Sequence, residues 1–339
     1  MSQAQGPRLL RADLHVHSHH SGFTSTLRMF HSRDCYSNPE TVYRAARARG
    51  MDLVTLTDHD SIDGCLELLG SHPDASDILM GEEIGCRVPG TGLRLHLGAL
   101  GLTESDHHDV QPLRGNVFEA AAFLRSRGVA LVLHHPFHFF RGETDARSYL
   151  DRLLPIVHAV EVRNATMLAA HNTLAAAVTR AWSLSRVGET GGSDAHVVRH
   201  VGAAFTEAAG RTGQEFLESL KRGESCAAGA HGTSARLAYE IYGVVLNYWA
   251  ALLGIHPSGL TRAQRVGGVG WSLMSLPFQF IPLLVTLAQK RDERRRIARL
   301  QRELQLPHLD PRLLSASARR RMMAPAGGAA KSVDGSRLT

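Results

Sequence analysis

Asp13-Leu14-His15-Val16-His17 reads as the end of a buried strand, over residues 11–16, that terminates in metal-ligand side chains. Side chains alternate along a strand, so a His-x-His pair puts both imidazoles on one side. Gly192-Ser193-Asp194-Ala195-His196 closes a later strand in the same way. Between them lie Thr57-Asp58-His59-Asp60, Gly81-Glu82-Glu83-Ile84, Leu95-His96-Leu97-Gly98 and His134-His135-Pro136-Phe137. Six strand-end clusters of His, Asp and Glu have the layout of a polynuclear metal site. Imidazole and carboxylate donors without thiolate suit Zn, Mn or Fe and disfavour a structural zinc–cysteine site.

The intervening sequence alternates strand and helix. Asn38-Pro39-Glu40 is a helix start, with Asn as N-cap and Pro in the first turn, and Gly50 ends that helix. Buried strands are expected over 51–57, 78–84, 93–100, 129–135 and 157–163, and helices over 62–69, 115–127, 145–154, 166–182 and 213–222. This alternation argues for parallel β/α units, and active sites of β/α barrels lie at the C-terminal strand ends where these clusters sit.

The chain has 339 residues, 43% hydrophobic and 21% charged, with 20 histidines. The first 234 residues hold 22 Lys+Arg against 26 Asp+Glu, and the remainder 16 against 6. The histidine-rich part is therefore mildly acidic and carries no basic stripe interleaved with aromatics, so charge gives no sign of nucleic-acid binding. Four widely spaced cysteines exclude a zinc ribbon and, with no apolar secretory leader in MSQAQGPRLLRAD, suggest a reduced, cytoplasmic protein.

Together, HVH, TDHD, GEE, HHP and GSDAH resemble the PHP superfamily of polymerase and histidinol-phosphatase domains, over roughly residues 11–230. The resemblance implies a distorted (β/α)7 barrel holding two or three divalent metals, and a phosphoesterase activity. It places His15, His17 and Asp194 on a first metal, with Glu83 bridging to a second completed by His96 and His135. His59 and His196 would hold a third. Relatives often carry Asp or His five or six residues after HxH, where this chain has Gly22 and Phe23; His19, His20, His31 or Asp34 could substitute, with His20 preferred. Glu82 is expected to face the other way, as a surface or supporting carboxylate, His134 to be a strand-core neighbour, and Asp58, beside His59, to orient a ligand imidazole. The expected chemistry is attack on phosphorus by a hydroxide between the first two metals, with Asp194 among its ligands and His59 or His196 as general acid in the absence of a third metal. Arg163 and His171 are candidate substrate contacts. A small phosphorylated metabolite or nucleotide is the expected substrate; the alternatives are a 5′→3′ exonuclease on short oligonucleotides and a non-catalytic metal-binding domain.

These patterns divide the chain into a metallo-domain (1–234), a helical apolar and basic appendage (235–314) and a disordered tail (315–339). Residues 266–289 hold 24 residues without a charge, followed by Lys290-Arg291-Asp292-Glu293-Arg294-Arg295-Arg296. Three arrangements fit residues 241–302: packing on the barrel or a partner subunit, a hairpin on a membrane surface, or a bilayer-spanning segment.

Overall fold

The computed structural model describes residues 8–22, 32–142, 145–182, 187–255, 261–274, 276–278 and 280–306. The histidine-rich part contains ten strands in two five-stranded sheets. Chain order is β1 (Arg8–Asp13), α1 (Pro39–Ala48), β2 (Leu53–Thr55), α2 (Asp63–Ser71), β3 (Ile78–Leu79), β4 (Gly81–Arg87), β5 (Arg94–Leu100), α3 (Glu104–Val110), α4 (Val117–Ser126), β6 (Ala130–His134), α5 (Ala146–Leu153), β7 (Ala159–Asn164), α6 (Ala169–Trp182), β8 (Gly188–Gly192), β9 (Ala204–Gly210), α7 (Gly213–Lys221) and β10 (Ser225–Gly229). Three further helices follow: α8 (Ser234–Leu252), α9 (Arg262–Met274) and α10 (Ile281–Glu303). As expected, Asn38 caps α1, its side chain accepting from the Glu40 and Thr41 amides.

The first sheet runs β10-β9-β1-β2-β3 and the second β4-β5-β6-β7-β8. This is a mixed α/β fold in place of the expected distorted (β/α)7 barrel, and no closed barrel forms among the described residues. It departs from a parallel β/α repeat in its pairing directions. β1–β2–β3 and β6–β7–β8 are parallel, but β4–β5–β6 and β1–β9–β10 are antiparallel. Two isolated parallel bridges, Val16 to Ala195 and His59 to Glu83, tie the sheets together beside the histidines.

Leu10, Ala12, Leu53, Ala130, Val132 and Ala208 from both sheets share an inner core with Phe216 and Leu220 of α7. A larger outer core packs the second sheet on α4, α5 and α6, and Ile297, Leu300 and Leu304 from α10 and its end belong to it. The final helix thus joins the same core as the strands. Residues 307–339, including the expected tail, lie outside the described residues.

Candidate metal centre

Glu83 lies at the centre of the site. It is fully buried on β4, and six imidazoles come within ion-pair distance of its carboxylate: His15 (3.1 Å), His17 (3.6 Å), His59 (2.9 Å), His96 (2.8 Å), His134 (3.1 Å) and His135 (3.2 Å). They arrive from four places. His15 and His17 follow β1, His59 follows β2, and the β5–β6 register sets His96 opposite His134. Asp194, beyond β8, faces the same space, its Oδ1 lying 3.5 Å from His15 Nε2 and 3.3 Å from His17 Nε2.

Close packing here demands glycine. A Cβ on Gly192 would sit 2.3 Å from the His15 Cβ, and one on Gly98 the same distance from His134 Nε2. Asp60, His135 and Asp194 all have positive φ, at 51°, 24° and 52°. Such backbone is costly for non-glycine residues and gathers at functional sites.

Supporting groups set the ring orientations. Glu161 accepts from His15 Nδ1 (2.9 Å) and from the His135 amide (2.8 Å). That leaves His15 Nε2 aimed at Glu83 and Asp194. Asp58 accepts from the Ser18 amide, Ser18 Oγ and Ser21 Oγ, and Ser21 Oγ meets His17 Nδ1 at 3.0 Å. Asp58 therefore acts through Ser21, which meets the His17 ring and also accepts from the His59 amide. Asn164 Nδ2 and Thr166 Oγ1 both donate to Asp194 Oδ2.

Burial raises the proton affinity of a carboxylate, yet the imidazoles His96, His15 and His59 hold Glu83 well below the usual range. Burial is likewise overcome at Asp194 by His15, His17 and His196. His15 moves the other way: burial opposes its charged form, but Glu83, Asp194 and Glu161 push it well above the usual imidazole value. The carboxylates thus favour positive charge at His15, while burial, with His196 and His59, lowers the pKa of His17 to about 3.

The donor set fits divalent cations. His15 Nε2, His17 Nε2, Glu83 Oε2, His96 Nδ1 and His135 Nδ1 are buried with no hydrogen-bond partner. Leaving one buried polar atom unpaired costs about 1–3 kcal/mol; His15 Nε2, His17 Nε2 and His96 Nδ1 meet at the Glu83 carboxylate and together suit a bound cation. Donor atoms group within 4.8 Å as His15–His17–Glu83, His15–His135–Asp194, His59–Glu83–His96 and His17–His59–His196. His96 thus groups with His59, and His135 with Asp194.

The last cluster differs from expectation. His20 does not reach it: His20 Nε2 pairs with Glu67 at 2.9 Å, beside His19, in a separate group. Asp34 takes the place instead, 2.9 Å from His196 Nε2 and 3.3 Å from His59 Nε2. The Asp34 amide donates to the Gly22 carbonyl, which folds the distal end of the loop back to where Gly22 alone offers no ligand. His31 lies outside the described residues.

Arg163 and His171, expected to contact substrate, do neither of the things required. On β7, Asn164 faces Asp194, while the Arg163 guanidinium turns to His231. His171 is fully buried against Phe137, and burial drives its pKa down to about 3. Glu82 is not a surface group but wholly buried, bound by His107 and Gln111. His134 does more than pack: it stacks on His15 at 3.9 Å as well as meeting Glu83. Glu161 was missed because a lone Glu within AVEV looks like a strand residue of either face. A carboxylate in an otherwise apolar buried strand was the signal that could have found it.

Residues 169–225, which include Asp194 and His196, match the family model described as PHP-associated. Several solved structures are similar to this chain. A two-domain protein from Bacteroides vulgatus, containing a predicted PHP-like metal-dependent phosphoesterase, is 19% identical, with 68% of this chain and 67% of that one covered and a TM-score of 0.48. PsfC from Pseudomonas syringae is 19% identical, with 73% and 99% covered and a TM-score of 0.46. An amidohydrolase from Chromobacterium violaceum with bound sulfate is 17% identical, with 62% and 96% covered and a TM-score of 0.43. No curated protein matches. At the cluster of His59 and His196, this chain supplies the carboxylate from Asp34.

Proposed function

We propose that this protein is a metal-dependent phosphoesterase acting on a small phosphorylated metabolite or nucleotide. The observation that carries the reading is the convergence of six imidazoles and Asp194 on Glu83, with five buried donor atoms unpaired. His15, His17, Glu83 and Asp194 would hold one cation and His96 and His135 would help hold a second, with His59, His196 and Asp34 at the outer edge. Divalent cations at these donors, Mn, Zn or Fe by ligand type, would draw charge from phosphoryl oxygens and acidify coordinated water.

The protein's own groups divide the remaining work. Glu161 fixes the His15 ring, Ser21 the His17 ring, and Asn164 with Thr166 the Asp194 carboxylate, so the donors are positioned before substrate arrives. His59 and His196 are partly exposed, at 30% and 21% of their side chains, with Asp34 between them. Burial works against a charged His196, but Asp34 pushes it up to about 9. Its ring therefore carries a proton at neutral pH, suited to a leaving-group oxygen when no cation occupies that edge.

Purified protein with Mn²⁺ is expected to release phosphate from p-nitrophenyl phosphate, and Asp194→Ala to abolish the release. If both proteins bind metal yet stay inert across a panel of phosphoesters, the reading fails and a metal-binding, non-catalytic domain remains. Product analysis on 5′-phosphorylated oligonucleotides separates a phosphatase from an exonuclease.

A further inference from the structure

Helix α10 is built inside out. Its inner face carries Lys290, Glu293 and Arg296, all buried, whereas its outward face carries Leu284 and Leu287, each about half exposed. At 100° per residue, Leu284, Leu287, Arg291 and Arg295 fall on one outward stripe, so apolar residues give way to arginines along a single line. Leu284 and Arg291 are about 10 Å apart along the axis.

Apolar exposure does not stop at that stripe. Ile281, Leu283 and Val285 are exposed around the same helix, and Leu276, Phe278 and Phe280 in the preceding turn. Val266, Leu273 and Met274 of α9 extend the patch. Isolated exposed apolar side chains are ordinary, but a contiguous patch of this kind marks a surface meant to be covered. The apolar stripe runs directly into exposed arginines, an arrangement that complements an apolar layer bordered by negative charge. No single described helix is long and apolar enough to cross a bilayer; α9 with Leu276–Glu303 meets that length and composition only as a pair bent by 58°.

We propose that α9 and the first half of α10 dock on the surface of an anionic lipid bilayer. Phe278, Phe280, Leu284 and Leu287 enter the boundary between headgroups and acyl chains, a layer about 5–10 Å deep. One to two turns further on, exposed Arg291, Arg294 and Arg295 meet lipid phosphates and carboxylates. The 10 Å from leucine to arginine matches that depth. None of these exposed residues is among the candidate metal ligands, so the proposal is independent of the phosphoesterase reading.

The test is flotation of the full chain with phosphatidylcholine vesicles and with phosphatidylcholine–phosphatidylserine vesicles. Binding is expected to the mixed vesicles and to weaken at least tenfold on neutral ones or in high salt. Leu284→Glu/Leu287→Glu should lower partition at least tenfold. Arg291→Gln/Arg295→Gln, which leaves every apolar side chain in place, should lower it roughly fivefold per arginine. Both variants alter exposed positions, and their thermal melts should match the parent. Failure of the parent to float with mixed vesicles overturns the proposal. So does unchanged partition in either variant. Sedimentation showing a dimer that Leu284→Glu/Leu287→Glu disperses, without lipid binding, would assign the patch to a second copy and overturn it as well.

Discussion

Two regions of this protein bury charged groups, and they do so in opposite ways. Around Glu83, imidazoles and carboxylates crowd together with donor atoms left unpaired. Beneath α10, Lys290 and Glu293 are as deeply buried but closed: Lys290 Nζ donates to the Thr166 carbonyl and to Glu293 Oε2, and Glu293 Oε1 accepts from the Leu168 amide. The open cluster is waiting for a ligand, while the closed one clamps the turn whose Thr166 holds Asp194. Burial and charge alone do not mark a site. Unsatisfied donors converging on one point do.

Glu83→Gln presses hardest on this contrast. It keeps the shape and removes the charge that the imidazoles face, so bound metal should drop and activity fall by roughly 10²–10³-fold. Metal content by elemental analysis and phosphate release read it out. Unchanged metal content would mean that the open cluster is not held together as described.

Lys290→Met attacks the closed cluster. It leaves the Glu293 charge buried without its cation, at a cost of about 3–5 kcal/mol in unfolding free energy by urea titration. Lys290→Met/Glu293→Leu should regain a large part of that loss, and neither variant should change metal stoichiometry. A loss of metal by Lys290→Met without loss of stability would turn the clamp into part of the site.

A finer division runs between Asp34 and His20. Asp34→Asn should weaken metal binding or activity about 10–100-fold, whereas His20→Ala, paired only with Glu67 and His19 in this region, should leave both unchanged. The reverse result would return His20 to the third cluster.

The smallest expected effect concerns a closed imidazole away from the metals. His158 Nδ1 accepts from the Leu131 amide, and burial, helped by Arg125 and Lys221, lowers its pKa to about 4. The folded state thus refuses a proton that the unfolded chain takes up near the ordinary histidine value. Its contribution is present above that value and is lost as pH falls toward 4. The side chain is partly exposed, so the contribution is screened to about 1 kcal/mol. His158→Asn keeps an acceptor without the titration and should flatten the stability profile of the metal-free protein between those limits. An unaltered slope would show that His158 titrates normally.

Much of the site was legible. His15, His17, His59, Glu83, His96, His135, Asp194 and His196 all converge, because strand-end ligands leave short local motifs. Asp34 was not legible as the chosen loop residue, since only the Asp34–Gly22 backbone bond shows which end of the loop folds back. Arg163 misled because the ladder is irregular between Glu161 and Arg163, and the register shift there breaks simple alternation. His171 misled because a helical histidine looks the same in sequence whether it faces a substrate or Phe137.

By itself, the sequence determined the donor chemistry, most strand and helix positions and the unusual apolar run before Lys290. Those properties are local: they depend on side-chain type and on periods of two and 3.6 residues. Tertiary structure decided that β4, β5, β9 and β10 pair antiparallel, that the strands divide into two sheets, that Asp34 and Glu161 complete the site, and that α10 turns its charges inward. Each of these depends on which segments meet in space, and pairing direction, loop closure and helix rotation are set by partners far away in the chain.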